Sequence, residues 1–389
     1  VGGFGVIPGW KVRRELWRVV DQFRELPARL LEPLQRWRYE RTRWSLIKVH
    51  GDAAYPGQKL CVFLVYQPSR LAPSVLETLD FLSANGYATL LVANAGLTGE
   101  ALSQVLSKAW RVMERPNFGY DFGGYRDALH FLDRQEFAGS HLILLNDSIW
   151  FPMLKTSRVI EHLEASPLDM TGLFLHVPAR NELEKESNRL FRKRKLAEHI
   201  ESYLTMIPRK TLLRREFAAF WQTYPQTRSK TLTIRRGEIG FSKAMAAAGL
   251  SIGALSRRST FLQAVAQFSD HQLEKTLVYA AYSDAPFQAE RDAILQSERG
   301  PTWRTAALEH IRRVVERRRF NASFCWATEE IFGTTFLKKH PGRIFQEGRR
   351  QFLRAVDNGD LACDNLVALE ELRQRVAKDF PATDGERKE

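Results

Sequence analysis

Cysteine is scarce in this chain. Cys61, Cys325 and Cys363 are three in 389 residues, odd in number and far apart. No Cys-x-x-Cys pair and no His at zinc spacing accompanies them, which excludes a disulfide framework and a structural zinc and points to a reducing, cytoplasmic compartment. Long apolar runs are missing too. The longest, residues 60–66, 88–93 and 142–145, fall well below the roughly 20 residues of a membrane helix. The opening stretch, residues 1–9, has neither the basic nor the apolar region of a secretion signal. No Gly-Lys-Ser/Thr of a Walker loop, no Gly-x-Gly-x-x-Gly and no Gly-x-Ser-x-Gly elbow occurs, so these nucleotide-binding and hydrolytic designs are not expected. His130, His141, His162, His176 and His199 show no i, i+4 pairing and read as ordinary core or surface side chains.

What is present is an ordinary globular composition, 44% hydrophobic and 26% charged, with a formal net charge of +13. That length suits about two units of roughly 150 residues. The positive balance favours polyanions but does not choose among nucleic acid, anionic lipid and nucleotide phosphate.

Residues 10–48 read as basic helices broken at Pro27 and Pro33, with Trp10, Trp17, Trp37 and Trp44 among arginines. Two uses fit this appendage: packing on the main body through its aromatic side, or lying on an anionic membrane surface. From residue 59 strands and helices alternate. Strands are expected at 59–66, 87–95, 111–115 and 141–145, with helices at 73–86, 98–109 and 123–133 between them. This alternation predicts a parallel sheet covered by helices, with ligands at the carboxyl ends of the strands. A further strand is expected within 168–179, a charged surface segment over 181–201, a sheet continuation near 203–213, and a helix opened by Gly237-Glu238-Ile239-Gly240 and stopped at Gly249. The chain thus divides into a helical appendage at 1–58, a main α/β unit at 59–255, a mainly helical region at 256–376 and a polar, disordered tail at 377–389. No internal repeat is found.

The densest chemistry lies between residues 115 and 152. Asn117-Phe118-Gly119-Tyr120-Asp121-Phe122-Gly123-Gly124 places glycines and small polar groups between a strand and a helix start, where backbone N–H groups can approach a diphosphate. A plain turn would use the same residues. Asn146-Asp147-Ser148 follows an almost wholly aliphatic strand, so Asp147 is either a turn cap or a strand-end site residue. The roughly 25 residues between loop and Asp147 hold one helix and one strand, which predicts that both reach the same edge of adjacent strands. Glu238 at a helix start would be held ionised by the helix dipole.

Taken together, four ordered blocks resemble the rhamnan synthesis protein F family of bacterial polysaccharide glycosyltransferases: residues 117–129, 144–152, 199–225 with 237–250, and 321–341. The resemblance, over about 60–345, implies a GT-A-like (Rossmann-like), mostly parallel α/β fold with helical appendages at both ends. It implies that Tyr66, Asn117, Gly119, Asp121, Arg126, Asn146, Asp147 and Ser148 bind the donor, and that Glu238 is the base of an inverting transfer. Asn146-Asp147-Ser148 offers one carboxylate where the GT-A motif has two, so Mg2+ or Mn2+ at Asp147 is optional and arginines such as Arg126 are the alternative cation.

The resulting expectation is a cytoplasmic enzyme, peripheral at the inner face of the plasma membrane. It moves a deoxyhexose, rhamnose first, from a dTDP- or GDP-linked donor to a lipid-linked polysaccharide such as an O-antigen. Two rivals remain: a basic nucleic-acid-binding protein, which would leave the loop and Asp147 idle, and a non-catalytic scaffold of a polysaccharide assembly complex. The reading favours no nucleic-acid partner.

Overall fold

The structure is a computed structural model and describes residues 31–381 apart from 56, 136, 138 and 178–197. Pro27, Trp10, Trp17 and the expected charged stretch at 181–197 lie outside the described residues.

Residues 31–46 form helix α1, which runs through Pro33 instead of breaking there. There follow β1 (Lys48–His50), β2 (Lys59–Val65), α2 (Pro73–Ala84), β3 (Tyr87–Ala93), α3 (Gly99–Leu106), β4 (Arg111–Glu114), α4 (Tyr120–Arg134) and β5 (His141–Asn146). Next come β6 (Ile149–Trp150), α5 (Val159–Glu164), β7 (Met170–His176), β8 (His199–Ile200), β9 (Leu204–Pro208), α6 (Arg209–Leu212), α7 (Arg215–Thr223) and α8 (Lys230–Thr233). Helix α8 continues without a break through a π-helical turn, Ile234–Glu238, into α9 (Ile239–Ala247), followed by β10 (Ile252–Ser256). Beyond lie α10 (Arg258–Ala266), α11 (Asp270–Val278), α12 (Ala285–Gln296), α13 (Pro301–Arg317), α14 (Phe320–Ser323), α15 (Cys325–Phe332), β11 (Leu337–Lys338), α16 (Arg343–Asp357) and α17 (Leu366–Asp379).

Among the described residues nine strands make one mixed sheet in the order β1-β4-β3-β2-β5-β9-β7-β10, with β8 pairing β7. Strands β4, β3, β2 and β5 run parallel, β9 is antiparallel to both its neighbours, and β10 is parallel to β7. The central strands are continuous apolar runs because both faces are covered. Along β2, Cys61, Phe63 and Val65 enter one core while Leu60, Val62 and Leu64 enter the other. The first core is closed by α2 and the C-terminal helices, through Phe261, Leu277, Ile311 and Phe324; the second is closed by α4, α7 and α9, through Phe122, Tyr125, Trp221 and Phe241. A small second sheet pairs β11 with β6 directly after Ser148.

Two further expectations change, and one of the two uses open to the N-terminal appendage is met. The glycine loop and Asp147 do not leave adjacent strands, because β3 and β2 lie between β4 and β5; α4 bridges the gap by crossing back over β2. Gly124 makes this approach possible, since a Cβ there would lie 2.1 Å from Leu64 Cδ1. The described part of the N-terminal appendage is built into the main body. Strand β1 pairs with β4, and Tyr39 and Arg43 of α1 reach Asp127 on α4. Finally, residues 377–379 are the last turn of α17 and not a disordered tail, because Asp379 pairs with the fully buried guanidinium of Arg349.

Arg115 and Asp127 form an ion pair with no exposure on either side, Nε to Oδ2 at 2.8 Å. Asp127→Ala leaves that guanidinium buried without its counter-charge. The expected cost is about 3–5 kcal/mol, measured by denaturant unfolding with the wild-type slope retained; a loss under about 1 kcal/mol would show that Arg115 finds another partner.

Candidate functional site

Strand β5 ends in Asn146, and the chain turns at Asp147 and Ser148 before β6. Asp147 is fixed from two directions. Its N–H donates to Leu64 O at 3.0 Å, and its Oδ2 accepts from Tyr66 N at 3.1 Å and Gln67 Nε2 at 3.0 Å. Asp147 therefore shapes the loop leaving β2. Burial raises its carboxyl above the usual range, and the nearby Lys339 ammonium opposes that shift. Asn146 Oδ1 accepts from both Ser148 N and Ser148 Oγ, at 3.1 and 2.5 Å, and Asn146 Nδ2 donates to Ser202 O at 3.2 Å.

Ser202, in the turn between β8 and β9, is the hub that joins the other acidic residues. Its Oγ donates to Glu238 Oε2 at 2.6 Å and lies 3.3 Å from Asp121 Oδ2; its N–H donates to the same Glu238 oxygen at 3.1 Å. His199 Nε2 approaches Glu238 Oε1 at 3.3 Å. Burial pushes Glu238 up, but hydrogen bonds from His199 and Ser202 outweigh it and hold the carboxyl below its usual range. Asp121 goes the other way: burial first, then the Glu238 charge, push it up to about 6. Two neighbouring carboxylates with pKa values driven apart are the pattern that divides acid from base roles. The turn is anchored from below by Glu201, which is 2% exposed and paired with Lys338 and Arg319. Burial raises the Glu201 carboxyl, but the two cations overcome it and hold it at about 2.

Asp121, Asn146 and Glu238 thus converge on Ser202, and Tyr66 and Asp147 meet one strand away. Asn117 accepts from Asn94 Nδ2 at 3.2 Å at the mouth of the loop, and Ser148 is exposed. Gly119, at φ 86°, starts α4 in the left-handed region with Gln226 packed against it; the glycine loop is a close-packed turn as much as an opening. Arg126 is not at the site. Its guanidinium is buried, bonded to the Glu40 carboxylate and the Trp221 and Gln222 carbonyls. Glu238 is not at a helix start, since α8 runs through it, so its ionisation comes from His199 and Ser202 and not from a helix dipole. Gly237 is small for a packing reason: a Cβ would lie 2.4 Å from the Phe122 ring. The reading of His199 as an ordinary side chain is corrected by its bond to Glu238, and the expected surface segment ends in a buried strand, His199–Ile200.

Residues 89–277 match the rhamnan synthesis protein F family. The rhamnan synthesis protein F match contains Asn117, Asp121, Asp147, Ser202 and Glu238, and leaves Tyr66, Gln67 and Lys339 outside its limits. The uncharacterized protein y4gN of Sinorhizobium fredii is 27% identical over 274 residues, 69% of this chain and 67% of that protein. Among solved structures, the mannosyltransferase PcManGT from Pyrobaculum calidifontis, in complex with GDP-Man and Mn2+, covers 91% of this chain and 92% of its own at 12% identity and a TM-score of 0.31. That likeness is too distant to transfer any role to a residue here.

The residues present do not fit a divalent ion at Asp147. One of its oxygens already accepts two hydrogen bonds, Asn146 Oδ1 is taken by Ser148, and the Lys339 ammonium acts on the carboxylate. Among the described residues no group of three His, Cys, Asp or Glu gathers into a metal cluster. Sequence reasoning missed Ser202, Gln67 and Lys339. Lys339 lies within residues 321–341, but nothing local separates Lys338 from Lys339 or gives Ser202 three partners distant in sequence.

Asp121 holds its proton more tightly when folded, at about 6 against 3.8. Its contribution to stability is therefore complete below 3.8 and is lost as pH rises through about 6. The difference between wild-type and Asp121→Asn unfolding free energies should change across that window; parallel profiles would show that Asp121 titrates normally.

Proposed function

We propose that this chain is a GT-A-like glycosyltransferase that uses a nucleotide-sugar donor, with Glu238 as the general base. The observation that carries this reading is the convergence on Ser202 of an ionised Glu238, of Asp121 with its carboxyl raised to about 6, and of Asn146, beside the strand-end Asp147. The rhamnan synthesis protein F match over the same residues supports a polysaccharide product and a deoxyhexose such as rhamnose, from a dTDP- or GDP-linked donor.

In the proposed step an acceptor hydroxyl oxygen attacks the anomeric carbon and inverts it. The bond from that carbon to the diphosphate oxygen breaks, its electron pair leaves with the diphosphate, and the hydroxyl proton passes to a Glu238 oxygen. His199 and Ser202 keep Glu238 ionised and pointed before the step. Tyr66, Gln67 and Asp147 form the donor side, where the loop leaving β2 meets the end of β5.

Glu238→Gln preserves shape and removes basicity. Turnover should fall about 10²- to 10⁴-fold with donor affinity nearly unchanged. An effect below about threefold, with chemistry rate-limiting, would remove Glu238 as base. Asp147→Ala should abolish transfer while circular dichroism stays native, and full activity would displace the donor side.

Among the described residues no helix is long and apolar enough to cross a membrane. We place the enzyme at an anionic membrane surface on other grounds: Leu31, Leu34 and Trp37 line the outer side of α1, each about half exposed or more, with Arg38 and Arg41 exposed beside them. The inward residues Tyr39 and Arg43 are structural, so deleting the helix would not be a clean test. Leu34→Gln combined with Trp37→Gln should abolish cosedimentation with anionic vesicles and spare transfer to a soluble acceptor; undiminished cosedimentation would contradict it.

A further inference from the structure

We propose that Lys339, and not a divalent ion, is the fixed cation that receives the leaving diphosphate; this rests on the nucleotide-sugar reading above. Its placement is set by backbone pairing. Strand β11 pairs antiparallel with β6, Leu337 opposite Trp150 and Lys338 opposite Ile149, and Lys339 N donates to Ser148 O at 2.8 Å. Residue 339 therefore stands across from the Asn146-Asp147-Ser148 turn, where the resemblance places a metal ion.

The surroundings suit an anion. The Lys339 ammonium lies 5.2 Å from the Trp150 ring centroid, and among the described residues no carboxylate comes within ion-pair distance of it. Asp147 and Glu371 are the acidic groups that act on it, and both are already engaged. Asp147 Oδ2 accepts from Tyr66 and Gln67, while Glu371 accepts from Ser74 N, Ser74 Oγ and Trp150 Nε1 at 2.8, 2.7 and 2.9 Å. Burial lowers the Lys339 ammonium below its usual range, and the Asp147 and Glu371 charges oppose that shift without forming an ion pair with it. Lys339 lines an open cleft of about 870 Å³ at the carboxyl end of β2, with Gln67, Arg70, Trp150, Arg375, Lys378 and Glu371. A nucleoside diphosphate seated there meets Lys339 at its inner end and Arg70 at the loop leaving β2.

A lysine is a point charge with three donors, sufficient to bond a phosphate oxygen as charge develops on it. The adjacent Lys338 is turned the other way, onto Glu201. Two consecutive lysines thus serve two purposes: Lys338 fixes the turn carrying Ser202, and Lys339 faces the leaving group.

The test is calorimetric titration of the full chain with GDP, UDP and dTDP, in EDTA and in Mn2+, for wild type, Lys339→Gln and Lys339→Arg. We expect binding of at least one diphosphate to survive EDTA. Lys339→Gln should weaken it about 10- to 100-fold, with the affinity for the matching nucleoside unchanged, and Lys339→Arg should restore much of the loss. Native circular dichroism of both variants excludes a folding defect. Diphosphate binding that requires Mn2+ and ignores Lys339 would overturn the proposal and leave the transferase reading standing. No binding of any nucleoside diphosphate under either condition would overturn both.

Discussion

The buried Arg115–Asp127 ion pair is the constraint on which the rest of the architecture depends. Arg115 directly follows β4, and its guanidinium reaches Asn94 beyond β3, the Phe118 carbonyl in the glycine loop and the Tyr39 hydroxyl of α1, besides Asp127 itself. The ends of β3 and β4, the glycine loop, α1 and α4 are thereby fixed together at one end of the sheet. With both charges removed from water, the pair is tolerable only because its hydrogen bonds are satisfied around it. It sets where α4 begins, and α4 carries Asp121 to Ser202.

The second organising feature is the return of the C-terminal region to the strand ends. The helices after β10 close one face of the sheet, and the short β11 then inserts beside β6. Its Lys338 acts on Glu201, and Lys339, the next residue, acts toward Asp147. In the proposed reading, the base and the leaving-group cation are both positioned by this short strand and the residue that follows it. The proposed chemistry follows from the separation of roles: an ionised carboxylate at Ser202, and positive charge at the carboxyl end of β2.

Much of this was legible in the sequence, for a physical reason. Strands β2, β3, β5 and β7 are aliphatic runs buried on both faces, and helices α2 and α3 carry their own boundaries in Pro73 and the capping Thr98. Asp147 stood out because a charge directly after such a run must sit at a strand end. What failed was non-local. Strand order is invisible to alternation, so the loop and Asp147 were expected on neighbouring strands. The short β1, β6, β10 and β11 have too few residues to show a period. The glycines around Glu238 look like a helix start, but Gly237 is there because Phe122 packs on it, and the helix had already begun at Lys230. Arg126 offered a plausible cation until its carbonyl partners were known.

The central claim is that the donor lies at the carboxyl ends of β2 and β5 with Glu238 on its acceptor side. A crystal structure of the chain soaked with a non-hydrolysable nucleotide sugar tests it most directly. The account predicts the diphosphate between Tyr66, Asp147 and Lys339 and the anomeric carbon facing the Ser202–Glu238 pair. A nucleotide bound elsewhere on the sheet, or a sugar turned away from Glu238, would contradict it.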